Sequence, residues 1–238
     1  MPTAATHWND LVADYDPVIS SDPMYRQLLS EVIRLVPPES TNILDLGCGT
    51  GTLTSLCSRA FTKATVVGID PAPNMIDQAR RKNRCSSSVI FEEGTAADLN
   101  QFRAESFDAV VSNFALHHLK HAEKKKCAAE SFRVLRPGGR FINADQHCQV
   151  MGEIDDPARV LHIVELLTAK AKFYFQNAGL PRMLLQLELL PRFIKEDGEI
   201  LATPQFWREA LIEAQFQNVE IEIIEPAELM NRVIWGQK

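Results

Sequence analysis

The stretch ILDLGCGTGTLTSL, residues 43–56, sets Gly47, Gly49 and Gly51 at alternate positions directly behind an apolar run. Glycine inside regular structure costs roughly 0.5–1 kcal/mol relative to alanine, so three so close together need a compensating gain. A tight turn whose backbone comes very close to a ligand supplies one. The segment NILDLG before the glycines reads as a short buried strand, and TLTSLCSRAF after them as a helix. A strand, a glycine turn and a helix in that order offer backbone N–H groups and a positive helix end at a single point.

The neighbouring sequence repeats the strand-and-helix alternation. ATVVGID is a second strand, apolar up to Asp70, and NMIDQARRKN is a helix behind Pro71 and Pro73. VIFEEG is a third strand, and FDAVVSNFAL a fourth with Val110 and Val111 buried. The amphipathic helix HAEKKKCAAESFRVL follows, then the turn signal RPGG and a fifth strand, RFINADQ. Upstream, PMYRQLLSEVIRLV keeps helical spacing until Pro37 and Pro38 stop it. This alternation predicts an α/β fold with a mostly parallel sheet covered on both faces.

The pattern changes after about residue 149. DDPARVLHIVELLTAKAKFYFQNAG and LPRMLLQLELLPRFI read as two helical segments with no strand between them. Alternation resumes with the helix TPQFWREALIEAQF and the strand VEIEII, and MNRVIWGQK closes the chain as a last strand. The expected organisation is a helical segment over 1–40, a ligand-binding core over 41–149, a helical insertion over 150–200, and a return to the core over 201–238.

Two ligand classes use such a glycine turn strongly: dinucleotides, and S-adenosylmethionine with its amine and carboxylate. The dinucleotide fingerprint is G-x-G-x-x-G. Here the pattern is D-x-G-x-G-x-G starting from Asp45, with Thr52 where that fingerprint places its third glycine. The second class is therefore favoured. Asp70, at the end of the second strand, can accept from both ribose hydroxyls, which either ligand offers.

Taken in order, ILDLGCGTG, VVGID, FDAVVSNFALHHL and VLRPGGRFI resemble the motifs of class I S-adenosylmethionine-dependent methyltransferases. They are most similar to the small-molecule branch of the ubiquinone and menaquinone methyltransferases. The resemblance covers residues 40–147 and resumes at EDGEILATPQFWREALIEAQF. It implies a Rossmann-like, seven-stranded sheet with a helical lid, and S-adenosylmethionine as cofactor. It further implies that Asp45, Gly47 and Gly49 line the methionine end, that Asp70 holds the ribose, and that Pro71 and Met75 lie near the adenine. Thr95, Ala96 and Asp98 would border the adenine edge, and Asn113 and Ala115 the sulfonium. Tyr15, in ADYDPV, would close over the pocket. Two positions depart from the pattern: Thr95 stands where aspartate is common, and EAQF replaces EAGF, leaving Gln215 without a glycine cap.

Methyl transfer is an in-line displacement at an activated carbon, so the protein mainly aligns the partners, worth roughly 7–11 kcal/mol of the barrier. A base is needed only where the acceptor carries a proton. His147 and Asp145 follow the fifth strand, where open α/β sheets bind their ligands, and with His117 they are the catalytic candidates. LHHLKH suggests a metal through His117 and His121, but no H-E-x-x-H pattern accompanies it and none is expected. In the insertion, Leu161, Val164, Leu167, Phe173, Phe175, Met183, Leu184 and Leu187 form an apolar stripe suited to core, a homodimer contact or an acceptor lid.

The 238 residues carry a formal charge of −6, which argues against a general nucleic-acid binder. The five cysteines include no C-x-x-C pair, and the N-terminus lacks a basic and apolar leader. Both suit a cytoplasmic protein with reduced thiols. No apolar run approaches the ~20 residues of a membrane span. The expected function is methyl transfer to a small-molecule acceptor. The alternatives are a nicotinamide-dependent oxidoreductase and a non-catalytic cofactor-binding subunit of a modification complex.

Overall fold

In the computed structural model, which describes residues 18, 19 and 22–238, Asp22 caps the first complete helix, α1 (Pro23–Leu35). Its carboxylate accepts the Met24 N–H at 2.8 Å, satisfying one of the donors a helix start leaves open. The glycine turn lies between β1 (Asn42–Leu46) and α2 (Thr52–Ala60), as its spacing predicts. β2 (Thr65–Asp70), α3 (Pro73–Lys82), β3 (Val89–Glu93) and β4 (Phe107–Asn113) follow. A 3₁₀ turn (Leu116–His118) then leads to α4 (His121–Val134) and β5 (Leu135–Gln146).

The insertion is a helical hairpin of α5 (Pro157–Ala178) and α6 (Leu180–Lys195), reversed at Gly179 with φ +84°. After it come α7 (Pro204–Glu213), β6 (Gln217–Ile223) and β7 (Asn231–Gln237). One expectation needs correction. RPGG does not separate helix from strand but lies within β5, and the register against β4 jumps from Phe107↔Leu135 to Ala109↔Arg140. The glycines are taken up as an irregularity of the strand, with Gly138 at φ +82°.

Among the described residues the strands make one seven-stranded sheet in the order β3-β2-β1-β4-β5-β7-β6. All pairings are parallel except those of β7, which runs antiparallel to β5 and β6. Strand order reverses between β1 and β4, which places a crevice beyond their carboxyl ends. Leu46, Asp70, Asn113 and Gln146 end the strands around that crevice.

Both faces of the sheet are covered. Leu44, Leu46 and Val110 join one core with Cys127 and Ala128 of α4 and the fully buried Trp207 of α7. Ile43, Ala109 and Val111 face the other, with Leu28 and Val32 of α1, Cys57 of α2 and Tyr174 of α5. Burying each such aliphatic side chain contributes roughly 1.5–3 kcal/mol, so a strand apolar on both faces is held from both sides. No helix among the described residues is long and apolar enough to cross a membrane.

Candidate functional site

The turn after β1 is fixed from beneath by the Cys48 N–H, which donates to Ile69 O at 2.9 Å. Gly47 and Gly49 both adopt left-handed backbone, φ +67° and +53°. At Gly47 a Cβ would stand 2.4 Å from that of Ala115, so only glycine lets the two loops touch. At Gly49 a Cβ would meet nothing within 4 Å, because the residue faces open space. Any side chain there would project into the crevice instead.

That space is an open cleft of about 690 Å³, counting the solvent-filled mouth. Gly47, Gly49, Asp70, Pro71, Met75, Thr95 and Ala96 line it, together with Ala115, His118 and Leu119 of the loop after β4. Eight of the residues singled out from the sequence thus converge on one cavity. The Asp70 carboxylate accepts the Gly49 N–H at 3.0 Å and the Ala72 N–H at 2.9 Å, which aims it along the cleft wall. Burial raises its pKa against those two hydrogen bonds.

Asp45 and Asn113 border a smaller pocket on the other side of the glycine turn, shared with Tyr25, Thr50 and Phe114. Burial pushes the Asp45 carboxyl up to about 7, although Thr54 Oγ1 donates to it at 2.6 Å. Both polar atoms of the Asn113 amide are buried without a hydrogen-bond partner. An orphaned amide is costly unless a ligand completes it, and an amine with a carboxylate would meet its oxygen and its nitrogen respectively. The glycine cradle and this amide fit S-adenosylmethionine.

A second cavity opens beyond Phe114, against the helical hairpin. Tyr25, His117, Gln146, Arg182, Gln186 and Glu199 supply much of its wall. Asp22 ties the hairpin to α1 across it, accepting from Arg182 Nε at 3.0 Å. On its floor, His117 Nδ1 lies 2.6 Å from Asp145 Oδ1, and His117 Nε2 lies 3.3 Å from Glu199 Oε2. Burial alone would lower the His117 pKa, but Asp145 and then Glu199 outweigh it and raise it to about 9. Burial works against ionisation of both acids as well, yet the adjacent imidazoles hold Asp145 and Glu199 below their usual range. His118, half-buried, is pushed down to about 4, by desolvation first and then by the neighbouring His117 charge.

Three expectations fare differently. His147 is fully buried, and neither ring nitrogen has a hydrogen-bond partner, but it lines neither cavity. It lies one residue past the end of β5, where its backbone N–H donates to the Met230 carbonyl at 2.9 Å. Asp98 borders a separate surface groove with Ala97 and Asn100, its carboxylate accepting the Asn100 N–H at 3.1 Å. Thr95 and Ala96 line the cleft without it. Tyr15 lies outside the described residues.

The sequence reading missed Phe114 and Glu199. Phe114 adopts φ +51°, uncommon for an aromatic residue, and borders all three cavities. Glu199 follows the hairpin, and its loop is tied to the site where the Ile200 N–H donates to the His117 carbonyl at 2.9 Å.

Residues 43–139 match the methyltransferase domain family. A demethylmenaquinone methyltransferase of Leptospira interrogans is 34% identical over 119 residues, covering 49% of this chain and 45% of that protein. An uncharacterized methyltransferase of Schizosaccharomyces pombe is 31% identical over 173 residues, 70% of this chain and 59% of that one. The chain spans about half the length of the curated relatives it matches. A solved SAM-dependent methyltransferase of Thermotoga maritima, a possible histamine N-methyltransferase, shares its fold over 97% of this chain and 98% of that one. The TM-score is 0.63 and the identity 17%, a likeness of fold. Residues 43–139 thus carry a methyltransferase domain, on a fold shared with solved SAM-dependent methyltransferases.

Proposed function

We propose that this protein transfers a methyl group from S-adenosylmethionine to a small-molecule acceptor seated in the cavity beneath the helical hairpin. The observation that carries this reading is the shared wall: Phe114 and His118 line both the cofactor cleft and the second cavity. A nucleophile in the one would therefore lie within reach of a group presented from the other. Bound in the cleft, S-adenosylmethionine supplies a methyl carbon already activated by its sulfonium, and the acceptor displaces the thioether.

The chain's own residues position the partners. Asp70 is the proposed ribose ligand, with Pro71, Met75, Thr95 and Ala96 around the adenine. Asp45, Gly47, Gly49 and Asn113 take the methionine end. Asp145 and His117 are the proposed catalytic pair, acting together with Glu199. With no other cation in the site the two carboxylates favour a protonated His117, and Glu199 Oε2 is placed to hold a cationic group. A homodimer through the hairpin is supported by the exposure of Leu161, Phe175, Leu184 and Leu187, while Leu167 is buried. A cytoplasmic site of action is supported by five free thiols, four of them buried.

The test is transfer of labelled methyl from S-adenosylmethionine to panels of small amines, phenols and quinols, with tRNA and protein run alongside. Label on a small molecule, lost on filling the second cavity with Gln186→Trp, is the expected result. Label only on RNA or protein would overturn the acceptor class.

A further inference from the structure

Three side chains meet on the floor of the second cavity. His117 and His118 come from the 3₁₀ turn after β4, and Glu199 from the loop between α6 and α7. Each offers one ligand-type atom, and these atoms all lie within 4.8 Å of one another. His117 Nε2 and Glu199 Oε2 are 3.3 Å apart. Two ligands of a tetrahedral ion bound at about 2.0–2.1 Å stand roughly that far from each other. His118 Nδ1 lies 3.6 Å from the same carboxylate but donates to the Gly198 carbonyl at 2.7 Å, which leaves its Nε2 as the nitrogen able to bind an ion.

The surroundings are those of a metal centre. Asp145 takes His117 Nδ1 at 2.6 Å and the His117 backbone N–H at 2.9 Å, which fixes the ring and turns Nε2 toward Glu199. Metal-bound histidines are oriented by such a carboxylate as a rule. Glu199 Oε2 is buried and has no aligned hydrogen-bond donor. A carboxylate oxygen in that position is costly unless a cation completes it.

We propose that His117, His118 and Glu199 form a site for one divalent transition-metal ion of the zinc class, with a further coordination position open to the second cavity. Two imidazoles and one carboxylate favour zinc over magnesium or calcium, which take oxygen ligands. In the open position an oxygen, nitrogen or sulfur atom of the acceptor would be polarised and its proton made more acidic. That role rests on the acceptor reading given above, whereas the ligand set does not. The competing occupant of the same space is a proton on His117, shared between Asp145 and Glu199.

The experiment is titration of the chelator-treated full chain with Co²⁺, followed by visible absorption, with Zn²⁺ added as displacer. The expected result is a stoichiometric d–d band that Zn²⁺ abolishes, with affinity weakened about tenfold or more in His117→Ala and Glu199→Gln. Calorimetry with S-adenosylmethionine checks the fold of each variant, because neither residue lines the cofactor cleft. A wild-type chain that binds S-adenosylmethionine yet gives no band overturns the site, as does a band that both variants retain. A band in a chain that fails to bind S-adenosylmethionine upholds the metal site and sinks the methyltransferase reading instead.

Discussion

Asp70 commits both carboxylate oxygens to backbone donors, Gly49 on one side and Ala72 on the other. Those bonds hold it at the lip of the cleft, where a ribose diol would meet its remaining lone pairs. Replacing it by alanine removes the acceptor without filling the cavity. Asp70→Ala is expected to weaken S-adenosylmethionine binding by roughly 1.5–3 kcal/mol, the range for hydrogen bonds to a charged group. Calorimetry reads this directly, and unchanged affinity in a folded variant would remove Asp70 from the site. Asp70, Gly47 and Gly49 were legible in the sequence because local backbone demands dictate them: a strand end, a left-handed turn and a close approach. Glu199 was not, since its place depends on a loop packing against another far away in the chain. Asp98 misled for the opposite reason. Its neighbours are in the cleft, but the turn it caps points its carboxylate away.

At the scale of elements, α7 shows how a missing residue signal is absorbed. Gln215 takes the left-handed position after the helix, φ +74°, and its N–H donates to Ile212 O at 2.9 Å. A side chain there costs about 1–2 kcal/mol relative to an unstrained backbone. Gln215→Gly is expected to raise stability by about 1 kcal/mol after the entropy of glycine is offset, seen as a higher midpoint in urea. A lower midpoint would mean that the Gln215 side chain makes a stabilising contact. The helical hairpin was legible as two helices, since apolar spacing and Pro157, Gly179 and Pro181 mark its ends. Which face it buries was not. Tyr174 enters the core and Phe175 stays exposed, a choice set by the sheet beneath rather than by the helix itself. The extent of β5 escaped as well, because its glycines serve an irregular strand rather than a turn.

Across the whole molecule, α5 carries a lysine into the interior. Lys170 is fully buried, its Nζ donating to Asn231 Oδ1 at 3.0 Å and Gln146 Oε1 at 3.3 Å. Burial lowers its pKa from 10.5 to about 7, and the nearby Arg182 charge adds to this. Between those values the unfolded chain binds a proton that the folded chain does not, so this group adds stability as pH rises. Below about pH 7 both states are charged and that contribution is gone. The unfolding free energy of the wild type minus that of Lys170→Met is therefore expected to increase from pH 7 to 9, on the order of 1 kcal/mol per unit. Denaturant titrations at each pH measure it, and a flat or falling difference would contradict the burial of a neutral amine. The global fold itself was legible from strand and helix alternation, which leaves few topologies for a parallel sheet.

The central claim is that the glycine turn holds S-adenosylmethionine. The most direct measurement is calorimetric titration of the full chain with S-adenosylmethionine, its demethylated product and NAD in turn. Saturable binding of the first two, with no heat from NAD, is the predicted result. Binding of NAD, or of none of the three by a folded protein, would contradict it.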